Sequence, residues 1–124
     1  MKIKELLKIF KDKTNEDIDR VDALKDVLLE IDNSPEKSTD VEQSIIKILI
    51  DTDDDYLVRQ HAGSELSYYC GKKLDNKLIK LILNQSEDLD IRINTYSSLA
   101  ENFGNEITQF LKNISSDDEM KNYL

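Results

Sequence analysis

The chain repeats itself. Laid over itself at an offset of 33, the 124-residue sequence aligns Ile45–Gly71 with Leu78–Gly104 without a gap, and seven of the 27 positions are identical. The identities are Ile46/Ile79, Lys47/Lys80, Asp55/Asp88, Arg59/Arg92, Ser64/Ser97, Leu66/Leu99 and Gly71/Gly104. A period of this length marks stacked supersecondary units, each unable to bury its apolar face alone. Two unrelated amphipathic helices would match in their apolar stripes, but not also in the loop acids and closing glycines.

Each unit reads as two helices. The first is strongly apolar (41–50, then 74–83) and leads into an acidic turn (51–55, then 86–90). Acids at that point suit the free N–H groups and positive dipole end of the helix that follows. The second helix spans about 55–70 and 88–103. Its apolar stripe predicts burial of Val58, Ala62, Leu66 and Tyr69, matched by Ile91, Thr95, Leu99 and Asn102 or Phe103. Gly71 and Gly104 are expected to end these helices. A third copy lies upstream, where Arg20, Ala23 and Val27 repeat Arg59, Ala62 and Leu66 at an offset of 39. The extra residues fall in the loop 33–38, where insertion costs little. Residues 3–10 supply its first helix, with Thr14 as N-cap of its second. After Gly104, residues 106–114 predict another first helix, and Ser116 a cap for a short closing helix through Tyr123. The expectation is seven or eight helices in one domain: repeats at about 1–33, 41–71 and 74–104, and a partial one at 105–124.

The pattern Asp55, Val58, Arg59, Ala62, Leu66 and Gly71, with its copy Asp88, Ile91, Arg92, Thr95, Leu99 and Gly104, resembles HEAT repeats of the short bacterial type. Thr95 departs from it, since Ala is usual there. The resemblance implies an all-α superhelix, a HEAT-like α-solenoid of about three helix-turn-helix repeats. It also implies that Asp55, Arg59, Asp88 and Arg92 hold neighbouring units together rather than react. Proteins of this family mostly bind other proteins, so a binding scaffold is expected.

Charge narrows the partner. Lys and Arg number 17 against 26 acids, a net charge of −9. Phosphate backbones and anionic membrane surfaces are poor partners for such a surface, whereas a basic protein is steered toward it. The charge is uneven: residues 1–11 carry +3, residues 12–55 carry −10 and residues 56–124 carry −2. The single cysteine, Cys70, and the absence of an apolar run of about 18–20 residues point to a reducing cytoplasm and no membrane span. The amphipathic start, interrupted at Lys8 and Lys11, does not resemble a secretory signal.

The residues do not assemble into a recognisable catalytic set. Asp51, Asp53 and Asp55 imitate the start of a calcium loop, but Tyr56 stands where Gly is needed and Ala62 where Glu is needed. Helix capping accounts for those acids better. One His and one Cys cannot furnish a zinc site, and His61 lies about 13 Å along the helix from Cys70. With Gly63, Gly71 and Gly104 as the only glycines, there is no phosphate loop. Neither enzyme activity, metal nor cofactor is expected.

A binding face is. Opposite the core on the second helices stand Leu57, Gln60, His61, Ser64 and Tyr68, with Asp90, Ile93, Asn94, Ser97 and Glu101 aligned, and Ile18, Val21, Asp22, Lys25 and Leu29 in the first copy. Leu57, Tyr68 and Ile93 are apolar where solvent is expected, and acids such as Asp22, Asp54 and Asp90 rim them. The partner-binding set is therefore read as Asp22, Asp54, Leu57, Gln60, His61, Tyr68, Asp90, Ile93 and Asn94. Size and charge resemble bacterial immunity proteins that neutralise basic, nuclease-type toxins. An assembly adaptor is the alternative, with a lyase-like HEAT enzyme behind it. The protein is expected to be a monomer on its own.

Overall fold

The computed structural model describes residues 2–112 and 114–124. Among them every regular element is helical. Six α-helices run in order: α1 (Ile3–Lys11), α2 (Asp17–Glu30), α3 (Ser38–Leu49), α4 (Tyr56–Glu65), α5 (Asn76–Leu83) and α6 (Leu89–Phe110). Short 3-10 turns at Ile31–Asn33, Pro35–Lys37, Leu66–Tyr68 and Glu119–Tyr123 complete the described structure. The chain is all-α, as its apolar period predicts.

Consecutive helices pack as pairs, α1 on α2, α3 on α4 and α5 on α6. The second members also pack on one another, α2 on α4 and α4 on α6, while α1 packs on α3. The stripe Val58, Ala62, Leu66 and Tyr69 is buried, as are Ile91, Thr95 and Leu99, and Arg20, Ala23 and Val27 in the first pair. Phe10, Leu24, Ile45, Leu49 and Ile82 are fully enclosed by the same core. Polar bonds tie α6 to α4 and to the 3-10 turn that follows α4. Ser98 Oγ donates to the Gly63 carbonyl at 2.6 Å, and Asn102 Nδ2 to that of Ser67 at 2.9 Å. A Cβ at Gly63 would meet Asn94 Cβ at 3.4 Å and Leu49 Cδ1 at 3.5 Å, ordinary packing distances.

All three arginines of the chain do one job. Arg20 Nε donates to the Phe10 carbonyl at 2.8 Å, and its two terminal nitrogens reach Asp54 at 2.7 and 2.8 Å. Arg59 binds the Leu49 carbonyl and, at 3.0 and 2.7 Å, Glu87. Arg92 binds the Ile82 carbonyl and, at 2.9 and 2.5 Å, Asp118. In each case the carbonyl lies ten residues upstream and ends the first helix of the pair. The carboxylate belongs to the loop ahead of the next second helix or, for Arg92, to the closing segment. A guanidinium fork matches this task, since it satisfies an orphan helix carbonyl and a carboxylate together.

Several local expectations are corrected. Asp55 and Asp88 do not join units; each caps its own helix, accepting from Val58 N and Ile91 N at 3.1 Å. The joining acids are Asp54 and Glu87, one residue earlier. Thr14 caps nothing: its N–H and hydroxyl both donate to Asp12 Oδ1, and α2 starts at Asp17 without a side-chain cap. Of the six α-helices among the described residues, α6 is two helical stretches joined at Gly104, so with the closing 3-10 turn the helical segments number eight, within the seven or eight expected. α4 stops at Glu65 and tightens into a 3-10 turn, so Gly71 lies beyond the helix. Gly104 does break α6, with φ 13° and ψ −97°, but the chain resumes helix immediately to Phe110. The closing element is a 3-10 turn capped by Asp118 rather than Ser116, because Asp118 Oδ1 accepts from Met120 N at 2.9 Å.

Candidate protein-binding groove

The three second helices share a groove of about 400 Å³. Asp17, Ile18 and Val21 of α2 form one wall; Leu57, Gln60, His61 and Ser64 of α4 form the other; Asn94 of α6 closes it. The amphipathic spacing of α2 and α4 leaves these residues outside because the core takes the opposite stripe. Ile18 is 61% exposed and Leu57 54%, so two large apolar side chains face solvent across the groove. Eleven residues, or three turns, beyond each stands another exposed apolar group. These are Leu29 on α2, 76% exposed, and Tyr68 after α4, 63% exposed.

The expected binding residues separate into groups. Leu57, Gln60, His61 and Asn94 line the groove together, and Asn94 Nδ2 donates to the Gln60 carbonyl at 3.4 Å. Tyr68 and Asp22 are exposed but lie outside its lining. Asp90 is exposed and accepts from the Tyr56 hydroxyl at 2.8 Å. That hydrogen bond is the main reason the Tyr56 phenol is pushed up to about 12. Ile93 is half-buried against the core instead of free. Asp54 is enclosed with Arg20, both side chains 2% exposed, and cannot serve a partner. Ile18 and Leu29 are exposed apolar groups where Ile93 was expected to be one, and their register equivalence to Leu57 and Tyr68 is the signal that marks them.

The chemistry-bearing side chains are occupied internally or apart. His61 Nε2 stands 2.9 Å from Glu65 Oε1, yet it, Glu65 Oε2 and the Tyr69 hydroxyl lack aligned hydrogen bonds. Cys70 Sγ donates to the Leu66 carbonyl at 3.1 Å, and burial pushes the thiol up to about 11. Of the acids that imitate a calcium loop, Asp51 pairs with Lys13 and accepts from Asp53 N, while Asp55 caps α4. Among the described residues no three His, Cys, Asp or Glu side chains are grouped to hold a metal ion. No helix among them is long and apolar enough to cross a membrane.

Comparison with protein-family models, with curated proteins and with solved structures finds no match to this chain. The geometry alone therefore supports the functional reading.

Proposed function

We propose that the chain is a HEAT-like α-solenoid of three repeats that works by binding a basic protein through its second-helix face. The observation that carries this is the exposure of Ile18, Leu29, Leu57 and Tyr68 around a groove to which all three second helices contribute. Large apolar side chains grouped on one face are anchors for a partner, since solvent alone gives them no return. Asp17 in the groove lining, with exposed Asp22 on α2 and Asp90 on α6, supplies the acidic rim. A basic surface is drawn in by that charge and then desolvated at the apolar centre. An immunity-type inhibitor, covering a basic nuclease-type toxin in a one-to-one complex, is the activity this arrangement suits best.

Tagged wild-type protein and an Ile18→Arg/Leu57→Arg variant, both shown folded by circular dichroism, are used to capture partners from the native cell extract. A single basic protein is expected, held one-to-one, released by salt, lost by the variant and inhibited when bound. Retention of the same set by both proteins overturns the groove as the interface. Several weakly held partners with no inhibition overturn the inhibitor reading in favour of an adaptor.

A further inference from the structure

The chain carries −9 overall, yet one of its clefts is basic. This cleft, of about 430 Å³, lies between α1 and α3, on the first-helix side of the fold. Lys4, Lys11, Lys37 and Lys47 frame it, and Asp40 is its only carboxylate. Lys37 stands 4.0 Å from Asp40. Lys4, Lys11 and Lys47 are exposed, and among the described residues no carboxylate lies within ion-pair distance of them. A single-sign cluster left unneutralised in an acidic protein costs self-repulsion. Lys8 and Lys11 extend the same field along α1, in a second hollow shared with Lys4 and Asp12.

We propose that the α1–α3 cleft is a binding site for a short acidic segment of a protein, distinct from the second-helix groove. The lysines are spread along the cleft: Lys4 to Lys11 spans about 10 Å of α1, and Lys47 lies about 14 Å along α3 from its start, next to Lys37 in the preceding 3-10 turn. That spread exceeds a compact phosphate group and matches side chains projecting from a few residues of peptide. Ile3 and Leu7 supply an apolar floor, and the Gln43 amide can bind a peptide carbonyl. A long polyanion is disfavoured, because beyond a Debye length of about 8 Å it runs onto the acidic remainder of the surface. The chain is thus bivalent, acidic around the apolar groove and basic on the first-helix side.

The test uses a fluorescein-labelled peptide of alternating Glu, Asp and Leu, titrated by anisotropy with the full chain at low salt. Lys4→Glu/Lys47→Glu is compared with Lys72→Glu/Lys73→Glu, which makes the same charge change at exposed lysines outside the cleft. Both variants are first checked for an unchanged thermal transition. One-to-one binding to wild type is expected, weakened at least about tenfold by the cleft variant and less than about twofold by the control. Equal weakening by both variants overturns a specific site, and absence of binding to wild type overturns the proposal outright. Displacement of the peptide by equimolar inorganic triphosphate reassigns the cleft to phosphate. Salt-sensitive self-association that excludes the peptide assigns it to an acidic segment of a second copy.

Discussion

Arg92 grips Asp118 with both terminal guanidinium nitrogens, and the two side chains are 3% and 2% exposed. That contact fastens the closing segment to α6, just as Arg59 and Glu87 fasten the pair before it. Removing one member of a buried pair leaves the other charge stranded, a cost of about 3 kcal/mol. Asp118→Asn and Glu87→Gln are each expected to lower unfolding free energy by that order in urea titrations. Lys13→Gln, which breaks a pair with half-exposed Lys13, is expected to leave the urea midpoint nearly unchanged, because solvent screens that pair. Equal effects at all three sites would show that the buried pairs carry no special share of stability.

Acid should dismantle the same ladder. Burial opposes ionisation of Asp54 and Glu87, but Arg20 and Arg59, with the N–H groups of Asp55 and Asp88, outweigh it and hold both carboxyls below their ordinary values. At Asp118 the hydrogen bonds from Arg92 dominate in the same direction. The unfolded chain then binds more protons than the native one in acid. Stability from these groups is complete above the ordinary values, 3.8 for Asp and 4.5 for Glu, and is lost as pH falls through the lowered native ones. Urea midpoints measured against pH are expected to drop steeply below about pH 4.5, with a shallower drop in Asp118→Asn. Parallel curves for the two proteins would exclude this pair as a source of the acid sensitivity.

The groove and the core should answer differently to one substitution. Leu57 is 54% exposed and Leu66 fully enclosed. Leu57→Ala is expected to change stability by less than about 0.5 kcal/mol, and Leu66→Ala to cost about 3 kcal/mol through lost contacts and a cavity. Thermal and urea unfolding of the two variants read this directly. A large loss at Leu57 would make it a packing residue rather than an anchor.

Cys70 should label slowly. With its thiol pushed from the ordinary 9.0 up to about 11, thiolate at neutral pH falls about a hundredfold while its intrinsic nucleophilicity rises, so alkylation slows by about tenfold. Iodoacetamide labelling followed by mass spectrometry is expected to show at least that ratio between native and urea-unfolded chain. Equal rates would mean that the Leu66 carbonyl and the surrounding core do not shield the sulfur.

The repeat made the pairing of helices and the buried stripe legible, because Val58, Ala62 and Leu66 recur in kind one period later and helix geometry turns that spacing into one face. The loops resisted. Asp54 and Asp55 are adjacent acids, and no period distinguishes the one that caps α4 from the one that meets Arg20. That choice is made by where the preceding pair ends in space. Ile93 was misplaced for a related reason: a helical wheel describes one element, and the neighbour that half-covers Ile93 is tertiary. Within the groove, Leu57, Gln60, His61 and Asn94 were legible by register. The basic cleft was not, since α1 and α3 contribute lysines from distant stretches and only their packing brings them to one hollow.

The arginine ladder gives the molecule a direction. Every guanidinium reaches forward along the chain to a carboxylate it does not share with the reverse neighbour, so each pair of helices has a socket side and a plug side. A block of 33 residues, the spacing from Arg59 to Arg92, carries one of each. Such a block repeats the arginine contact but not the Ser98–Gly63 bond, because Glu65 stands in register with Ser98 and Tyr96 with Gly63. The ladder is therefore polar: reversing the order of two pairs would leave each guanidinium facing a side that offers it no carboxylate.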